Sequence, residues 1–287
     1  MEKSRLKKIK LISLDLDGTL LNSERKIPEE NRKYVQRAKE RGIKIIVSSG
    51  SPYDLMPHEE LKDLGISYAI TANGSAVYEY PGRKCIYEES MDVVTAAPIL
   101  GFLLTKDMHM DLFIQGKGYC PDFTQDIVHK LDVPDARKIY ILNNRIWLKD
   151  PAAYIKEHRL TIQKITMNFY PDKHGGLVDR EEVKKYLEEC GCVSIVSGGW
   201  GNLEITKSGV NKGKALGLLC KKIDIPLYET AAFGDSLNDL DIIKTAGVGI
   251  AMQNAMPEVK CVADYVTGTN DACGVAEFVQ RILKSSL

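Results

Sequence analysis

The apolar run Ile9-Lys10-Leu11-Ile12-Ser13-Leu14 leads directly into Asp15-Leu16-Asp17-Gly18-Thr19-Leu20, and that junction restricts the folds open to this chain more than any other segment. A short apolar run of this kind reads as a buried strand. The two acidic residues then fall at its carboxyl end, in the crevice where open α/β sheets bind ligands. Gly18 allows the chain to turn sharply and approach a ligand closely. Two neighbouring carboxylates repel, so one rises in pKa unless a cation sits between them. A hard divalent cation such as Mg²⁺ answers that repulsion with oxygen ligands. The same residues also suit an ordinary strand end closed by an Asp-Gly turn, and the rest of the chain has to decide between the two.

Beyond this junction, helix and strand signals alternate. Pro28-Glu29-Glu30 opens a helix, with proline in the first turn and acids at the positive end of the dipole. The helix runs to about Arg41 and stops at Gly42. Ile43-Lys44-Ile45-Ile46-Val47 reads as a second buried strand, ending in the small-residue loop Ser48-Ser49-Gly50-Ser51-Pro52. Pro52 is expected to start another helix, through about Leu64. Tyr68-Ala69-Ile70-Thr71 is a third strand, ending at Ala72-Asn73-Gly74. The segment therefore reads β-α-β-α-β, with a parallel sheet whose loops gather at the carboxyl ends of the strands.

The pattern changes at a hairpin around Pro81-Gly82-Arg83. From about residue 85 to 201 the chain mixes strands, such as Arg145–Leu148 and Lys164–Phe169, with helices such as Asp179–Glu189, which is the profile of an inserted α+β domain. Alternation returns near Asn202: Leu203-Glu204-Ile205 reads as a strand, Asn211–Lys222 as a helix, Thr230–Phe233 and Val248–Met252 as strands, and Gly274–Leu283 as a closing helix. The expected organisation is a discontinuous core, 1–84 plus 202–287, with residues 85–201 inserted as a cap.

Bulk properties narrow the function classes. Lys and Arg number 39, as do Asp and Glu, for a formal net charge of +0 in 287 residues, so no basic field favours nucleic acid or an anionic membrane. At 44% hydrophobic and 27% charged, the composition is that of a globular protein. The basic start is followed by an apolar stretch too short for a secretory signal, which ends in Asp15 and Asp17. The seven scattered cysteines read as reduced buried thiols, and Cys190-Gly-Cys192 lacks the spacing of a zinc or redox pair. The expected location is cytoplasmic.

Three further signals fall at strand tips or helix starts of the same core. Gly234-Asp235-Ser236-Leu237-Asn238-Asp239 comes directly after a strand. Asp235 and Asp239 can both face the strand tips if the helix begins at Ser236 or Leu237, and Asn238 can donate to a phosphoryl oxygen. An Asx turn leading into a capped helix needs similar residues. Ser48-Ser49-Gly50 offers a hydroxyl and backbone N–H groups as a small anion nest. Lys212 stands at a helix start, where a lysine opposes the dipole, although an exposed surface lysine is the usual occupant of such a place. Together these groups suit phosphoryl transfer, in which cations and donors neutralise the equatorial oxygens during in-line attack.

In these residues the chain resembles the haloacid dehalogenase superfamily, specifically its Cof-type phosphatase branch with a large α/β cap. The resemblance rests on LDLDGTLL, IIVSSG, LEITKSGVNKGKAL and GDSLNDLDI in that order, with further likeness in ITANGSAVYE and AMQNAMPEVK. It implies a Rossmann-like parallel sheet core with helices on both faces plus an inserted α+β cap domain. It also implies a Mg²⁺-dependent phosphatase that works through an aspartyl-phosphate. Asp15 would be the nucleophile and Asp17 the general acid/base. Mg²⁺ would sit on Asp15, the Asp17 backbone carbonyl, Asp235 and Asp239. Leu16, Gly18, Ser49, Gly50, Lys212 and Asn238 would hold the phosphoryl group, and Asn73 would line the entrance.

Three departures from the family pattern bear on specificity: Ser51 replaces a frequent arginine, Gln253 a frequent glycine, and Ala272-Cys273 a usual acidic pair. The expected partner is a small phosphorylated metabolite, in particular a sugar phosphate, in a monomer or weak homodimer without nucleic-acid or membrane partners. A phosphomannomutase-like phosphotransferase and a non-catalytic sugar-phosphate-binding protein are the alternatives. His109, Tyr119, Arg145, Trp147, His174 and Trp200 are candidate specificity groups in the cap.

Overall fold

A computed structural model describes residues 5–197 and 199–285; the first four residues of the basic start and the Trp200 side chain lie outside the described residues. Among the described residues there are fourteen strands: β1 (Leu11–Asp15), β2 (Lys44–Ser48), β3 (Ile66–Thr71), β4 (Ala76–Glu79), β5 (Lys84–Glu88), β6 (His109–Ile114), β7 (Lys117–Pro121), β8 (Ile146–Leu148), β9 (Lys164–Asn168), β10 (Val193–Ser197), β11 (Leu203–Lys207), β12 (Thr230–Gly234), β13 (Val248–Ala251) and β14 (Tyr265–Val266). They form two sheets, ordered β14-β13-β12-β1-β2-β3-β4-β5 and β10-β11-β9-β6-β7-β8. The chain divides accordingly into two units: residues 1–51, 56–87 and 211–287, and residues 52–55 and 88–210.

The first unit is a Rossmann-like α/β fold. β3, β2, β1, β12, β13 and β14 are parallel, and β4 is antiparallel to β3. Every residue of β1 and β12 is buried, as expected of parallel strands covered on both faces. The helices Glu29–Glu40 and Gly274–Ser285 pack together, as do Lys212–Lys222 and Leu240–Thr245. Strand succession runs one way from β1 to β3 and resumes on the other side of β1 at β12. The switch point therefore lies between β1 and β12, where such sheets bind ligands at their carboxyl ends. Pairing sets Asp15 opposite Ser48 and Leu14 opposite Phe233, so the tips of β1, β2 and β12 are level.

The second unit is a mixed sheet, antiparallel except for the β7–β8 pair. Its core gathers Leu100, Met110, Leu112, Ile165, Met167 and Ile205 with Val183 and Leu187 of the helix Arg180–Cys190.

Three sequence expectations need correction. Leu203-Glu204-Ile205 belongs to the second unit's sheet, where β11 pairs antiparallel with β9 and β10, so the expected boundary at 202 moves to 211. Its alternating burial, with Leu203 and Ile205 inside and Glu204 half-buried, is that of a strand with one face on a core. The expected helix from Pro52 to Leu64 is instead a 3₁₀ turn at Tyr53–Leu55 and one α-turn at His58–Leu61. Pro57 accounts for the break: it lacks an N–H and disfavours helical geometry in Met56. Finally, all seven cysteines are free, but only Cys120 and Cys220 are buried, while Cys85 and Cys261 are exposed. The Cys190 and Cys192 sulfurs lie 3.0 Å apart.

Candidate active site

Each strand tip of the first unit is shaped by the residue that ends it. β1 stops at Asp15 and the chain turns through Gly18 at φ 77°. A side chain there would place its Cβ 2.5 Å from Asp235 Oδ2, so the turn requires glycine. The loop is pinned by Leu20 N–H to Asp15 O at 3.2 Å and Leu21 N–H to Leu16 O at 2.9 Å. The Thr19 hydroxyl donates to Asp235 Oδ1 at 2.9 Å.

β12 ends at Gly234, and Ser236 with Asp239 forms a capping box. Asp239 Oδ2 accepts the backbone N–H groups of Asp235 and Ser236, each at 3.0 Å. Asp239 therefore serves both readings drawn from the sequence: one oxygen caps the turn and the other faces the site. Leu237 does begin the turn, as a 3₁₀ segment running into the helix Leu240–Thr245.

Lys212 is the first residue of its helix, which Asn211 caps by accepting the Lys214 N–H at 2.7 Å. Against the expectation for an ordinary lysine at such a position, it is 0% exposed. Its ammonium donates to Asp15 Oδ1 at 2.7 Å and Asp239 Oδ1 at 2.6 Å. An ammonium is buried only when paired and hydrogen-bonded, and here two carboxylates share it.

Asp15, Asp235 and Asp239 each bring a carboxylate oxygen within 4.8 Å of the others. Three ionised carboxylates against one ammonium would leave two negative charges in a partly dry site, and Asp15 and Asp235 resist ionising accordingly. Burial, then the charge of Asp239, pushes Asp15 well above the usual carboxylate range. The same two causes raise Asp235 to about 6, opposed by hydrogen bonds from Thr19 and Ser236. Burial pulls Lys212 down, but Asp15 and Asp239 outweigh it and hold its pKa above the ordinary lysine value. Oxygen donors with a deficit of two positive charges match a hard divalent cation.

The remaining expected groups take different places. Ser49 is buried on the tip of β2, where its hydroxyl accepts the Ser51 N–H at 3.0 Å. Gly50 beside it is half-buried, and Leu16 is buried below the β1 turn. Asn73, at φ 57°, accepts from Asn238 Nδ2 at 3.0 Å. Asn238 Oδ1 is buried without a hydrogen-bond partner among the described residues, an orphan acceptor at the site's edge. Gly74 is held close to Asn211, whose carbonyl would lie 2.2 Å from an added Cβ.

Asp17 stands apart. Its side chain is 54% exposed and pairs with Arg25 Nη1 at 2.6 Å. Two contributing groups, Thr19 and Arg25, are not singled out by the sequence pattern. Thr19 lies inside the LDLDGTLL motif, and its place directly after the Gly18 turn is the available signal. Arg25 carries none: it reaches Asp17 from a loop in which Asn22 Oδ1 accepts the Glu24 and Lys26 N–H groups.

Comparison with known proteins shows the family of the chain. The family of haloacid dehalogenase-like hydrolases matches residues 12–279. The phosphatase YwpJ of Bacillus subtilis is 33% identical over 96% of this chain and 100% of its own length. The 5-amino-6-(5-phospho-D-ribitylamino)uracil phosphatase YcsE of the same organism is 32% identical over 95% of each chain. Among solved structures, a haloacid dehalogenase-like hydrolase from Bacillus subtilis superposes with a TM-score of 0.80 at 31% identity, covering 95% of this chain and 99% of that one. The chain belongs to the haloacid dehalogenase-like hydrolases, in their Cof-type branch, and is a phosphoric monoester hydrolase.

Proposed function

We propose that the protein is a Mg²⁺-dependent phosphatase of small phosphorylated metabolites, acting on phosphate esters of sugars or sugar-derived chains through an aspartyl-phosphate on Asp15. The observation that carries this reading is the fully buried Lys212 ammonium bridging Asp15 and Asp239 at the switch point of the sheet. Asp15 Oδ1 is held by Lys212, which fixes its carboxylate; its other oxygen is the one assigned to attack phosphorus. Asp17 is assigned as the group that protonates the leaving alcohol and then takes a proton from water. Its exposure and its pairing with Arg25 suit a group that has to meet both substrate and solvent. Ser49, Asn238, Lys212 and the backbone of Leu16–Gly18 and Gly50 are assigned to the phosphoryl oxygens, with Asn73 at the entrance. Asp15, Asp235, Asp239 and the Asp17 carbonyl would hold Mg²⁺, which when bound neutralises charge developing on the phosphoryl group.

The substrate class draws on the relative named for a phospho-ribitylamino-uracil, an ester on a sugar-derived chain. A small-molecule substrate and a cytoplasmic location go together in this reading. No helix among the described residues is long and apolar enough to cross a membrane. The test is phosphate release, with and without Mg²⁺, from p-nitrophenyl phosphate, a sugar-phosphate panel and the phosphoribityl compound. Mg²⁺-dependent turnover is expected, and Asp17→Asn should lower it about 10²–10⁴-fold. Absence of release from every ester in Mg²⁺ would overturn the reading.

The titration of Asp235 gives an independent check. Its folded pKa of about 6 lies above its unfolded value, so the native state binds the proton more tightly. Its contribution to stability is present below about pH 4 and lost as pH rises through about 6. Above that the cost is ~3 kcal/mol. In chelator, urea unfolding should therefore show stability falling between these pH values. Mg²⁺ should restore it, more at pH 7.5 than at pH 5. Asp235→Asn should flatten that dependence, stabilise the metal-free protein at pH 7.5 and weaken Mg²⁺-supported turnover. An unchanged pH slope in that variant would remove Asp235 from the group.

A further inference from the structure

The second unit contains a polar cluster that the phosphatase chemistry does not use. His109 and Asp111 are two apart on β6 and so point from one face of the strand. β7 runs antiparallel beside it with Leu112 opposite Tyr119, which brings Cys120 level with Asp111. His109 and Cys120 are 0% exposed and Asp111 3%. His109 Nε2 lies 3.7 Å from Asp111 Oδ2 and 3.8 Å from Cys120 Sγ, and that sulfur lies 3.3 Å from Asp111 Oδ1. Donors placed tetrahedrally about a zinc-like ion, at the usual bond lengths, stand about 3.3–3.8 Å from one another.

Proton accounting points the same way. The single Thr124 hydroxyl proton goes to the Pro121 carbonyl at 2.8 Å. The 3.1 Å contact between Thr124 Oγ1 and His109 Nδ1 is then an Nδ1–H donating to the hydroxyl oxygen. In the neutral ring Nε2 is then the free acceptor nitrogen, turned toward the Asp111 carboxylate and the Cys120 sulfur as a ligand nitrogen would be. Ligating histidines commonly donate their other N–H to a fixed partner, and Thr124 is such a partner. Asp111 is itself held by Arg145 Nε on Oδ1 and by Asn168 Nδ2 at 3.5 Å on Oδ2.

We propose that His109 Nε2, one oxygen of the Asp111 carboxylate and Cys120 Sγ, donors that lie within 4.8 Å of one another, form a site for a divalent transition metal of the zinc class, with water in the fourth position. The mixed nitrogen, oxygen and sulfur set excludes Mg²⁺ and Ca²⁺, which take oxygen alone. Loading replaces the thiol proton by the metal: the S–H bond breaks, the sulfur–metal bond forms and one proton leaves to solvent. The thiolate supplies one new negative charge, and Asp111 is shared between the dication and Arg145, whose guanidinium also donates to the Asn144 carbonyl at 3.3 Å and lies over the Tyr140 ring at 5.6 Å.

The test uses the full-length protein produced in Co²⁺-supplemented medium and dialysed against Mg²⁺. It is read by metal analysis and by cobalt–thiolate charge-transfer absorption. One tightly held Co²⁺ per chain with a charge-transfer band is expected. Cys120→Ser should abolish the band, and His109→Gln should lower retained cobalt at least tenfold. Cys190→Ser with Cys192→Ser, the competing thiol pair, should leave the band intact, as should Asp235→Asn. Parent protein without the band, or a band that survives Cys120→Ser, overturns the proposal and leaves the cluster as a buried ion-pair network.

Discussion

Asp15→Asn is expected to lower Mg²⁺-supported turnover by about 10⁶-fold, the scale observed when a covalent hydrolase loses its nucleophile. The amide keeps the shape of the carboxylate, so β1 and its pairing with β2 and β12 should be undisturbed. What disappears is an oxygen able to form a bond to phosphorus. The substitution also removes one of the three crowded acids, and with it a repulsion that burial makes costly. The metal-free variant should therefore be at least as stable as the parent at neutral pH. That pairing of outcomes separates a lost nucleophile from a damaged fold. Steady-state phosphate release on protein shown to be folded by circular dichroism makes the measurement. Residual turnover above about one per cent of the parent would sink the assignment of Asp15, since removing a bond-forming group costs far more than that.

Lys212→Met should be the most destabilising single change in the site. The methionine fills similar volume but leaves Asp15 and Asp239 without the ammonium that both now touch. Removing one partner of a buried ion pair costs about 3–5 kcal/mol, because a charge is left uncompensated. Turnover should fall by about 10²–10³-fold for the lost electrostatic support. The sign of the pH effect is fixed by the carboxylates that remain. The folded pKa of Asp15, which Lys212 now holds down, rises further without it, so the loss is largest at neutral pH and shrinks as acid protonates the carboxyl. Mg²⁺ should restore part of the stability by supplying positive charge to the same oxygens. Urea unfolding at pH 5 and 7.5, with chelator or Mg²⁺, reads all of this. A loss independent of pH and Mg²⁺ would mean that Lys212 acts by packing alone.

The strand tips are readable because buried parallel strands are unbroken apolar runs and the polar residues that end them stand out. Ile45-Ile46-Val47 before Ser48-Ser49 and Ala231-Ala232-Phe233 before Gly234-Asp235 show this directly. β11 is easily misplaced because an apolar pair around one acid looks the same in either sheet; only its partners β9 and β10 decide. Asp17 groups with Asp15 on spacing alone. Alternation by two holds only within a strand, and β1 ends at Asp15, so the Gly18 turn sends the Asp17 carboxylate outward to Arg25. The burial of Lys212 is likewise not written in its neighbours. It comes from two acids 197 and 27 residues away in the chain.

The adjacency of β1 and β12 has a consequence for biosynthesis. Leu11 pairs with Lys44 on one side and with Thr230 on the other. The first ladder can close soon after residue 48 is made, whereas the second waits for more than two hundred residues of intervening chain. At about 5–20 residues per second, that wait is roughly 10–40 s. Throughout it, the wholly buried strand Leu11–Asp15 has one open edge, the kind of surface that recruits other chains. A nascent chain stalled within residues 88–210 would carry that edge and no catalytic group from the carboxyl-terminal segment. Chaperone capture on the ribosome should therefore peak before residue 230 emerges and decline once β12 has docked.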